Sequence, residues 1–315
     1  MASGFAPMVS ADFSAALDLA LYEGILQKPV NIKPLRQQLF EAKSSVQNKE
    51  KFARFSGWGL FGAKPVGGQP QGDKASQMYE KFIKFATYGK RMDIVFEALD
   101  DDPKRIINRI WDMGSMLRST FEYTVEQLHW SFLNTHWSAT TSGAFYNMNS
   151  TDYPWFSTVH PTANPGQTYS NRFANPTQLN RAMLEKAVEL MEQQNLNPRG
   201  LKQLIDPSTL IIGTGNWANA GRLIRAMSVP ESADNGPNMI RDYIRKRVNS
   251  PLFANDGRWA ITGNKEEIGL ASFMRLGLKS QEIATNPTLN RTRVCVFRVG
   301  YGGLYPDGAF ASVAA

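Results

Sequence analysis

The feature that most constrains this chain is one long amphipathic stretch. Between Asp102 and Leu133, apolar residues recur at steps of three or four, a period that places them on one face of an α-helix. Pro103 fits the first helical position, and Asp101 or Asp102 before it can cap the first turn. A helix over 102–133 would be roughly 45 Å long at ~1.5 Å per residue, far above the usual length of about 11–12 residues. It predicts a spine helix, whose apolar face would consist of Ile106, Ile110, Met113, Leu117, Phe121, Val125, Leu128 and Phe132.

The composition is that of an ordinary globular protein. The 315 residues, 42% of them hydrophobic and 20% charged, suffice for one large domain or two smaller ones. A single cysteine, Cys295, excludes an intramolecular disulfide, and its apolar β-like surroundings predict an inert buried thiol. No run of about 18 apolar residues occurs, so we expect no membrane-spanning helix.

The formal charge of +7 is unevenly distributed. Seven basic residues lie between Lys28 and Arg54, against only Glu41 and Glu50. Such a cluster is either a solvated face or a surface that contacts nucleic acid or acidic protein. No zinc-finger, RNA-recognition or helix-turn-helix signature accompanies it.

A glycine-rich segment precedes the predicted spine. Six glycines lie between Ser56 and Gly72, and four aromatic residues flank or enter this segment: Phe52, Phe55, Trp58 and Phe61. This density of glycine predicts a long irregular loop or hairpin tip, and residues 79–87 then alternate like a returning strand. Exposed aromatic side chains need a surface to bury against. The segment alone leaves two alternatives open, an arm that lies on another subunit or a disordered loop.

The remaining pattern mixes helices and strands and predicts an α+β fold. Residues 1–48 have too few apolar residues to form a core, and we expect an arm with short helical pieces. Later elements are predicted as helices over 178–194 and 217–227, with strands over Thr209–Ile212, Trp259–Ile261, Ile268–Leu270 and Arg293–Tyr301.

One candidate site for a nucleotide cofactor occurs in the second half. Gly213-Thr-Gly215 follows a predicted strand and precedes a helix, the local order of a dinucleotide-binding turn. The pattern lacks the second parallel strand that should end in an acidic residue, because Glu231 lies in a loop broken by Pro230. The bulky ring of Trp217 also occupies a position that would have to approach a pyrophosphate closely.

No other pattern predicts catalysis or metal binding. His129, His136 and His160 have no acidic partner at a ligand-like spacing. Cys295 has no histidine near it in sequence, and no Gly-x-Ser-x-Gly is present. We therefore expect no enzyme activity, no catalytic or metal-ligating residues and no cofactor.

Several local motifs resemble the Mu-like major head subunit family of tailed bacteriophages. The similarity rests on their order and spacing, covers most of residues 80–310, and does not extend to residues 1–75. The similar segments are Trp155-Phe-Ser-Thr-Val-His160-Pro, Gly166-Gln-Thr-Tyr-Ser-Asn171, Asn197-Pro-Arg-Gly200, Asp206-Pro-Ser-Thr-Leu-Ile-Ile, Asn255-Asp-Gly-Arg-Trp259-Ala-Ile and Arg298-Val-Gly-Tyr301-Gly.

This resemblance implies the major capsid fold of the HK-ninety-seven type. Residues 1–48 would be the N-terminal arm and 49–90 the extended loop. Residues 91–174 and 264–315 would form the peripheral domain with the spine helix 102–133, and 175–263 the axial domain. The loop would lie on a neighbouring subunit, which favours the arm alternative, with contacts from Phe52, Phe55, Trp58, Phe61 and Lys64.

The implied function is a structural one. Pentamers and hexamers would assemble into an icosahedral head that encloses double-stranded DNA through non-specific contacts. Scaffold, portal and decoration proteins would be partners, assembly would occur in the host cytoplasm, and the mature protein would reside in the virion. Two alternatives remain. One is an encapsulin-type cargo compartment with the same fold, and the other, from a different class, is a nucleotide-cofactor enzyme built on Gly213 and Gly215.

Overall fold

The computed structural model describes residues 19–25, 32–58, 60–64, 66, 68–69, 72–75, 77–94, 103–137, 146–148, 151–162, 166–194, 196, 199–203, 205–228, 236–254, 256–283 and 291–312. The chain divides into two compact units. The first unit comprises Met1–Pro34, Ala86–Gln127 and Met274–Val299, and the second comprises Leu35–Phe85, Leu128–Phe273 and Gly300–Ala315. These two units are defined by contacts within one chain and are not the domains predicted from the sequence. The arm, loop, peripheral and axial segments refer to an assembly and stay a prediction.

The described chain contains helices and several runs of consecutive strands, as the α+β expectation requires. A helical segment, α1, covers 19–25. The further helices are α2 (Pro103–Thr135), α3 (Arg181–Gln194), α4 (Trp217–Arg225) and α5 (Ile240–Tyr243), with 3-10 turns at Leu35–Gln38 and Thr214–Asn216. The strands are β1 (Glu41–Ser44), β2 (Lys49–Phe55), β3 (Gln77–Lys84), β4 (Ala86–Ile94), β5 (Tyr146–Met148), β6 (Thr151–Tyr153), β7 (His160–Pro161), β8 (Thr168–Tyr169), β9 (Thr209–Ile212), β10 (Lys246–Asn249), β11 (Trp259–Thr262), β12 (Leu270–Ile283), β13 (Arg291–Gly303) and β14 (Ala309–Ser312).

The long helix is confirmed at Pro103–Thr135, two residues longer at its C-terminus than predicted. Ile110 and Val125 on its predicted face are buried, whereas Met113 is 36% exposed. The neighbouring Gly114 contacts α1 in place of Met113, because glycine has no side chain and the backbone of α1 can approach it closely. The side chain of Ile106 lies outside the described residues. Whether α2 acts as a spine in an assembly stays a prediction.

The first unit packs α1 and most of α2 around a small apolar cluster, which lies beside paired strands. Ala20 and Leu21 of α1 are buried with Ile110 of α2. Strands β4 and β13 pair antiparallel from Arg291↔Ile94 to Val299↔Ala86. The ring of Phe297 stacks on Tyr88 at 5.2 Å and meets the edge of Phe121 at 4.8 Å between ring centroids. Cys295 is free and buried, as predicted.

The second unit contains a four-stranded sheet in the order β10-β9-β11-β14. Strand β9 pairs parallel with β10 and antiparallel with β11. Successive side chains of a strand point to opposite faces, and the buried residues follow this rule. Leu210 and Ile212 join the cluster that includes residues of α3, α4 and α5, whereas Ile211 joins the cluster that includes Trp130 and Trp155.

The predicted elements of this half are confirmed with shifted ends. Strand β9 lies at the predicted residues, α3 begins at Arg181 and α4 ends at Arg225. The short strand expected at Ile268–Leu270 is wrong in extent, because β12 runs from Leu270 to Ile283. Polar residues such as Lys279 hid this strand, since they break the alternation of apolar residues that marks a half-buried strand.

The loop segment around Asn171 is fixed by a buried amide. Asn171 is 2% exposed, and its Oδ1 accepts the backbone N–H of Ser157 at 2.7 Å and Nε2–H of His160 at 3.0 Å. Its Nδ2 donates to the carbonyl oxygens of Trp155, at 2.7 Å, and Pro306, at 3.1 Å. The amide is therefore fully used, which assigns His160 and Asn171 a structural role in this fold.

Candidate functional site

The candidate site is the hairpin of β2 and β3 with the glycine-rich segment that joins them. The two strands pair antiparallel from Lys49↔Lys84 to Arg54↔Tyr79, and the register then shifts between Arg54 and Phe55. A register shift of this kind marks a β-bulge, which bends and twists a strand. Gly57 follows in the left-handed region with φ 78°, where a side chain would be strained.

Large apolar side chains are exposed along this segment. Trp58 is 65% exposed and Phe55 59%, while Phe61 and Val66 are as exposed as in an extended chain. Lys64 is exposed as well. Folding within the chain therefore leaves much apolar surface in water at this hairpin, as expected for a segment that packs on another molecule.

Phe52 differs from the other predicted contact residues. Its ring lies 5.5 Å from that of Phe273, and it packs against the buried cluster that contains Ile83 and Phe85. Phe52 thus fixes the base of the hairpin to its own subunit. The contact role of Phe55, Trp58, Phe61 and Lys64 stays a prediction, as does any contact of Phe52 with a neighbour.

Two ion pairs hold the hairpin at its ends. Arg54 donates to the carboxylate of Asp307, whose side chain is 2% exposed, and its guanidinium lies 4.7 Å from the Tyr305 ring centroid. On the returning side, Nη2 of Arg199 lies 2.6 Å from the Asp73 carboxylate. The ends of the glycine-rich segment are therefore held, whereas its aromatic side chains face solvent.

A half-buried lysine lies on the returning strand β3. Nζ of Lys81 donates to the carbonyl oxygen of Gly303 at 2.9 Å, and burial lowers the pKa of this ammonium group well below its usual range. The lysine links β3 to the end of β13. Its position is that of a structural contact inside the second unit.

The Gly213 turn has the geometry of a plain strand-to-helix connection. Gly213 is buried with φ −79° and ψ 172°, a conformation open to any residue. The parallel neighbour of β9 is β10, which starts only at Lys246 and ends at Asn249 rather than at an acidic residue. The side chain of Trp217 is 54% exposed at the start of α4. This geometry gives the cofactor alternative no support.

The histidines lie at separate places in the second unit. His129 is within 2.8 Å of the Ser272 hydroxyl, His136 is within 2.8 Å of the Phe132 carbonyl oxygen, and His160 bonds to Asn171. Within the described parts of the chain, no group of three His, Cys, Asp or Glu residues could hold a metal ion. Nor does any described helix have the length and hydropathy of a membrane span.

The basic cluster between Lys28 and Arg54 is only partly a solvated face. Arg36 is 9% exposed, and the side chain of Arg54 is engaged with Asp307. Lys43 forms an exposed pair with Glu41 at 2.9 Å. Lys28 lies outside the described residues. The described part of this cluster therefore contributes more to the fold than its sequence suggested.

Solved structures of phage capsids match this chain over almost its full length. The chain of Mycobacterium phage Patience has a TM-score of 0.55 at 12% identity, with 100% of this chain and 96% of that chain covered. The fold is that of a tailed-phage capsid subunit. The capsid of Cyanophage P-SCSP1u has a TM-score of 0.51 at 13% identity, with coverage of 92% and 91%. The capsid of Ralstonia phage GP4 has a TM-score of 0.50 at 13% identity, with coverage of 92% and 94%.

The capsid fold confirms the fold class expected from the sequence. No family model and no curated protein sequence matches the chain. The narrower assignment to the Mu-like family is thus a prediction from the motifs alone.

Proposed function

We propose that this protein is a major capsid protein that assembles from copies of itself into a closed shell. The observation that carries the proposal is the exposed aromatic hairpin on a chain with the fold of phage capsid subunits. Full burial of one large apolar side chain contributes about 1.5–3 kcal/mol. Burying Phe55, Trp58 and Phe61 on a neighbour therefore supplies a substantial part of the energy of one subunit contact.

The hairpin is suited to reach another copy. The Arg54–Asp307 and Arg199–Asp73 pairs hold the two ends of its glycine-rich segment, while that segment exposes its apolar side chains. Because every copy carries the same hairpin and the same receiving surface, such contacts are heterologous, and a rotation that closes them produces a ring. Pentamers and hexamers of this kind would form the icosahedral head.

The remaining parts of the proposal concern the DNA that the shell encloses and the proteins that bind to the shell. The net charge of +7 suits weak, non-specific contact with packaged double-stranded DNA. Scaffold, portal and decoration proteins are further proposed partners. Assembly would take place in the host cytoplasm, with the protein then residing in the virion. The mechanism is burial of surface and includes no catalysis.

The test is electron microscopy of the purified full-length protein, combined with sedimentation velocity. We expect rings or shells from the wild-type chain. The variant that lacks residues 57–72 should give folded monomers or rings and no shells. Normal particles from the deletion variant would overturn the role of the hairpin, and a monomer at all concentrations would overturn self-assembly.

A milder variant tests the same surface without shortening the chain. Trp58→Ser with Phe61→Ser removes two exposed rings, so the melting temperature should stay unchanged while shell formation is lost. Phe82→Ser is a suitable control, because Phe82 is also exposed, at 45%, but lies on β3 outside the glycine-rich segment.

The encapsulin alternative shares self-assembly and differs in content. Particles purified from the host would then hold a protein cargo instead of nucleic acid. Ultraviolet absorbance and gel analysis of nuclease-treated particles separate these outcomes, and DNA protected inside the particles favours the phage head.

A further inference from the structure

The second unit carries two exposed surfaces of opposite charge on different elements. The first, here called the basic patch, consists of Trp217, Arg222 and Arg225 of α4 and Arg247 of β10. The second, here called the acidic groove, lies between α3 and α5 and is lined by Glu185, Val188, Glu189, Glu192, Met239, Ile240 and Tyr243. Both surfaces combine charge with exposed apolar side chains, which is typical of protein contacts.

The basic patch is built around a tryptophan ring. The guanidinium of Arg247 lies 5.4 Å from the Trp217 ring centroid, and its Nη1 donates to the Trp217 carbonyl oxygen at 3.1 Å. Burial and the nearby positive charge of Arg225 lower the pKa of Arg247. Among the described residues, no carboxylate pairs with Arg222, Arg225 or Arg247. The patch therefore has an excess of positive charge that the described part of its own subunit leaves uncompensated.

The acidic groove has an apolar floor with carboxylates at its rim. Its volume is about 270 Å³, and Met239 is 59% and Tyr243 41% exposed. Glu185 and Glu189 form exposed pairs with Arg181 and Lys186 of the same helix, each at 2.8 Å. Exposed pairs of this type contribute only about 0.3–0.5 kcal/mol, so both carboxylates can turn to a better partner at low cost. Glu192 is exposed and, within the described chain, has no ion-pair partner.

The two surfaces are neighbours in the second unit, because α5, which forms one wall of the groove, contacts both α3 and α4. No described ion pair joins the patch to the groove. A head-to-tail arrangement of two copies, by contrast, brings the patch of one against the groove of the next, and the contact can repeat around a ring.

We infer that the basic patch of one copy binds the acidic groove of a neighbouring copy. This inference rests on the proposed self-assembly and assigns one of its contacts. The Trp217 ring packs on Met239 and Tyr243 of the neighbour, and Arg222 and Arg225 pair with its glutamates. A polyanion such as DNA would bind the cations of the patch but would not bind the groove, whose rim carries glutamates.

The experiment reverses the charge on each surface separately. Arg225→Glu alters the patch and Glu192→Arg the groove, and both residues are exposed in the subunit. Each variant should keep the wild-type melting temperature and associate about tenfold more weakly, a change of about 1.4 kcal/mol. Sedimentation velocity over a concentration series measures the association. Lys202→Glu, a charge reversal at an exposed residue outside both surfaces, should associate like the wild type.

An equimolar mixture of the two variants provides the decisive test. In an equimolar mixture, the reversed patch of one variant faces the reversed groove of the other, while the unchanged surfaces also pair. Association should then return to within about threefold of the wild type, in alternating assemblies. A mixture no better than either variant alone would overturn the inference, as would wild-type association of both single variants.

The same design distinguishes three further outcomes. If association requires added DNA, and Arg225→Glu loses it while Glu192→Arg keeps it, the inferred contact is overturned in favour of a polyanion site. A wild-type chain that never associates would refute the proposed self-assembly itself. If the wild type and both charge-reversed variants all form shells, only the inference is overturned and the proposed self-assembly stands.

Discussion

Arg54 and Asp307 form an ion pair across 253 residues of sequence, and only 2% of the Asp307 side chain is exposed. The same carboxylate accepts the Tyr169 hydroxyl at 2.8 Å and the Gln203 amide at 2.7 Å. Three donors therefore compensate one buried charge. This cluster joins the end of β2, where the glycine-rich segment begins, to the turn before β14.

Asp307→Asn should destabilise the protein strongly. The substitution keeps the shape of the side chain but leaves the Arg54 guanidinium, whose side chain is 20% exposed, beside a neutral amide. Breaking a buried pair by changing one partner costs about 3–5 kcal/mol. Urea unfolding measures the change. Asp256→Asn is the matched control, because Asp256 and Arg258 form a more exposed pair at 2.7 Å, for which we expect about 1 kcal/mol or less. Equal losses in both variants would contradict the importance of the Asp307 cluster.

His160 should make the stability depend on pH between about 4 and 6.5. Burial, partly offset by the hydrogen bond to Asn171, lowers its pKa from 6.5 to about 4. The unfolded chain then binds a proton that the folded chain does not, so stability falls as pH decreases below 6.5. The slope is about 1.4 kcal/mol per pH unit, and the total loss is about 3 kcal/mol near pH 4. Melting of the wild type and of His160→Gln at several pH values measures the difference, and parallel curves for the two proteins would contradict the expectation.

Gly114→Leu should separate α1 from α2. A Cβ atom at Gly114 would lie 2.7 Å from the backbone oxygen of Leu21, a contact that requires the backbone to move. Overpacking of this kind costs about 1–3 kcal/mol, although leucine favours a helix more than glycine does. Hydrogen exchange should increase at residues 19–25. Gly277→Ala, where a Cβ atom meets nothing within 4 Å, is the control and should leave exchange of this segment unchanged.

Local patterns predicted the elements, and long-range contacts decided the rest. Helix α2 and strand β9 were predictable because periodicity and a short apolar run are properties of neighbouring residues. The position of Met113 was not, since it depends on how closely Gly114 approaches another segment. Strand β12 was underestimated because its polar residues carry no such pattern.

The candidate site shows the same division. Glycine and aromatic density indicated the hairpin and its exposed rings, of which Trp58 and Phe61 are examples. The inward direction of Phe52 depends on its pairing with Phe273, to which no sequence pattern points. Asp307 was missed altogether, because its partner Arg54 lies near the other end of the chain and carries no local signal.

The last prediction concerns the packing of α2 in the first unit. Phe121→Asp should destabilise the protein by about 3 kcal/mol or more, because the substitution removes a ring and places a charge among apolar side chains. The Phe121 ring meets Phe297 edge-on at 4.8 Å between centroids. Tyr123→Asp, two residues along the same helix and 46% exposed in the wild type, is the control and should cost about 1 kcal/mol or less. Thermal unfolding followed by circular dichroism compares the two variants. Because they introduce the same charge into the same helix, a similar loss in both would mean that helix formation, rather than packing on β13, sets the stability of this unit.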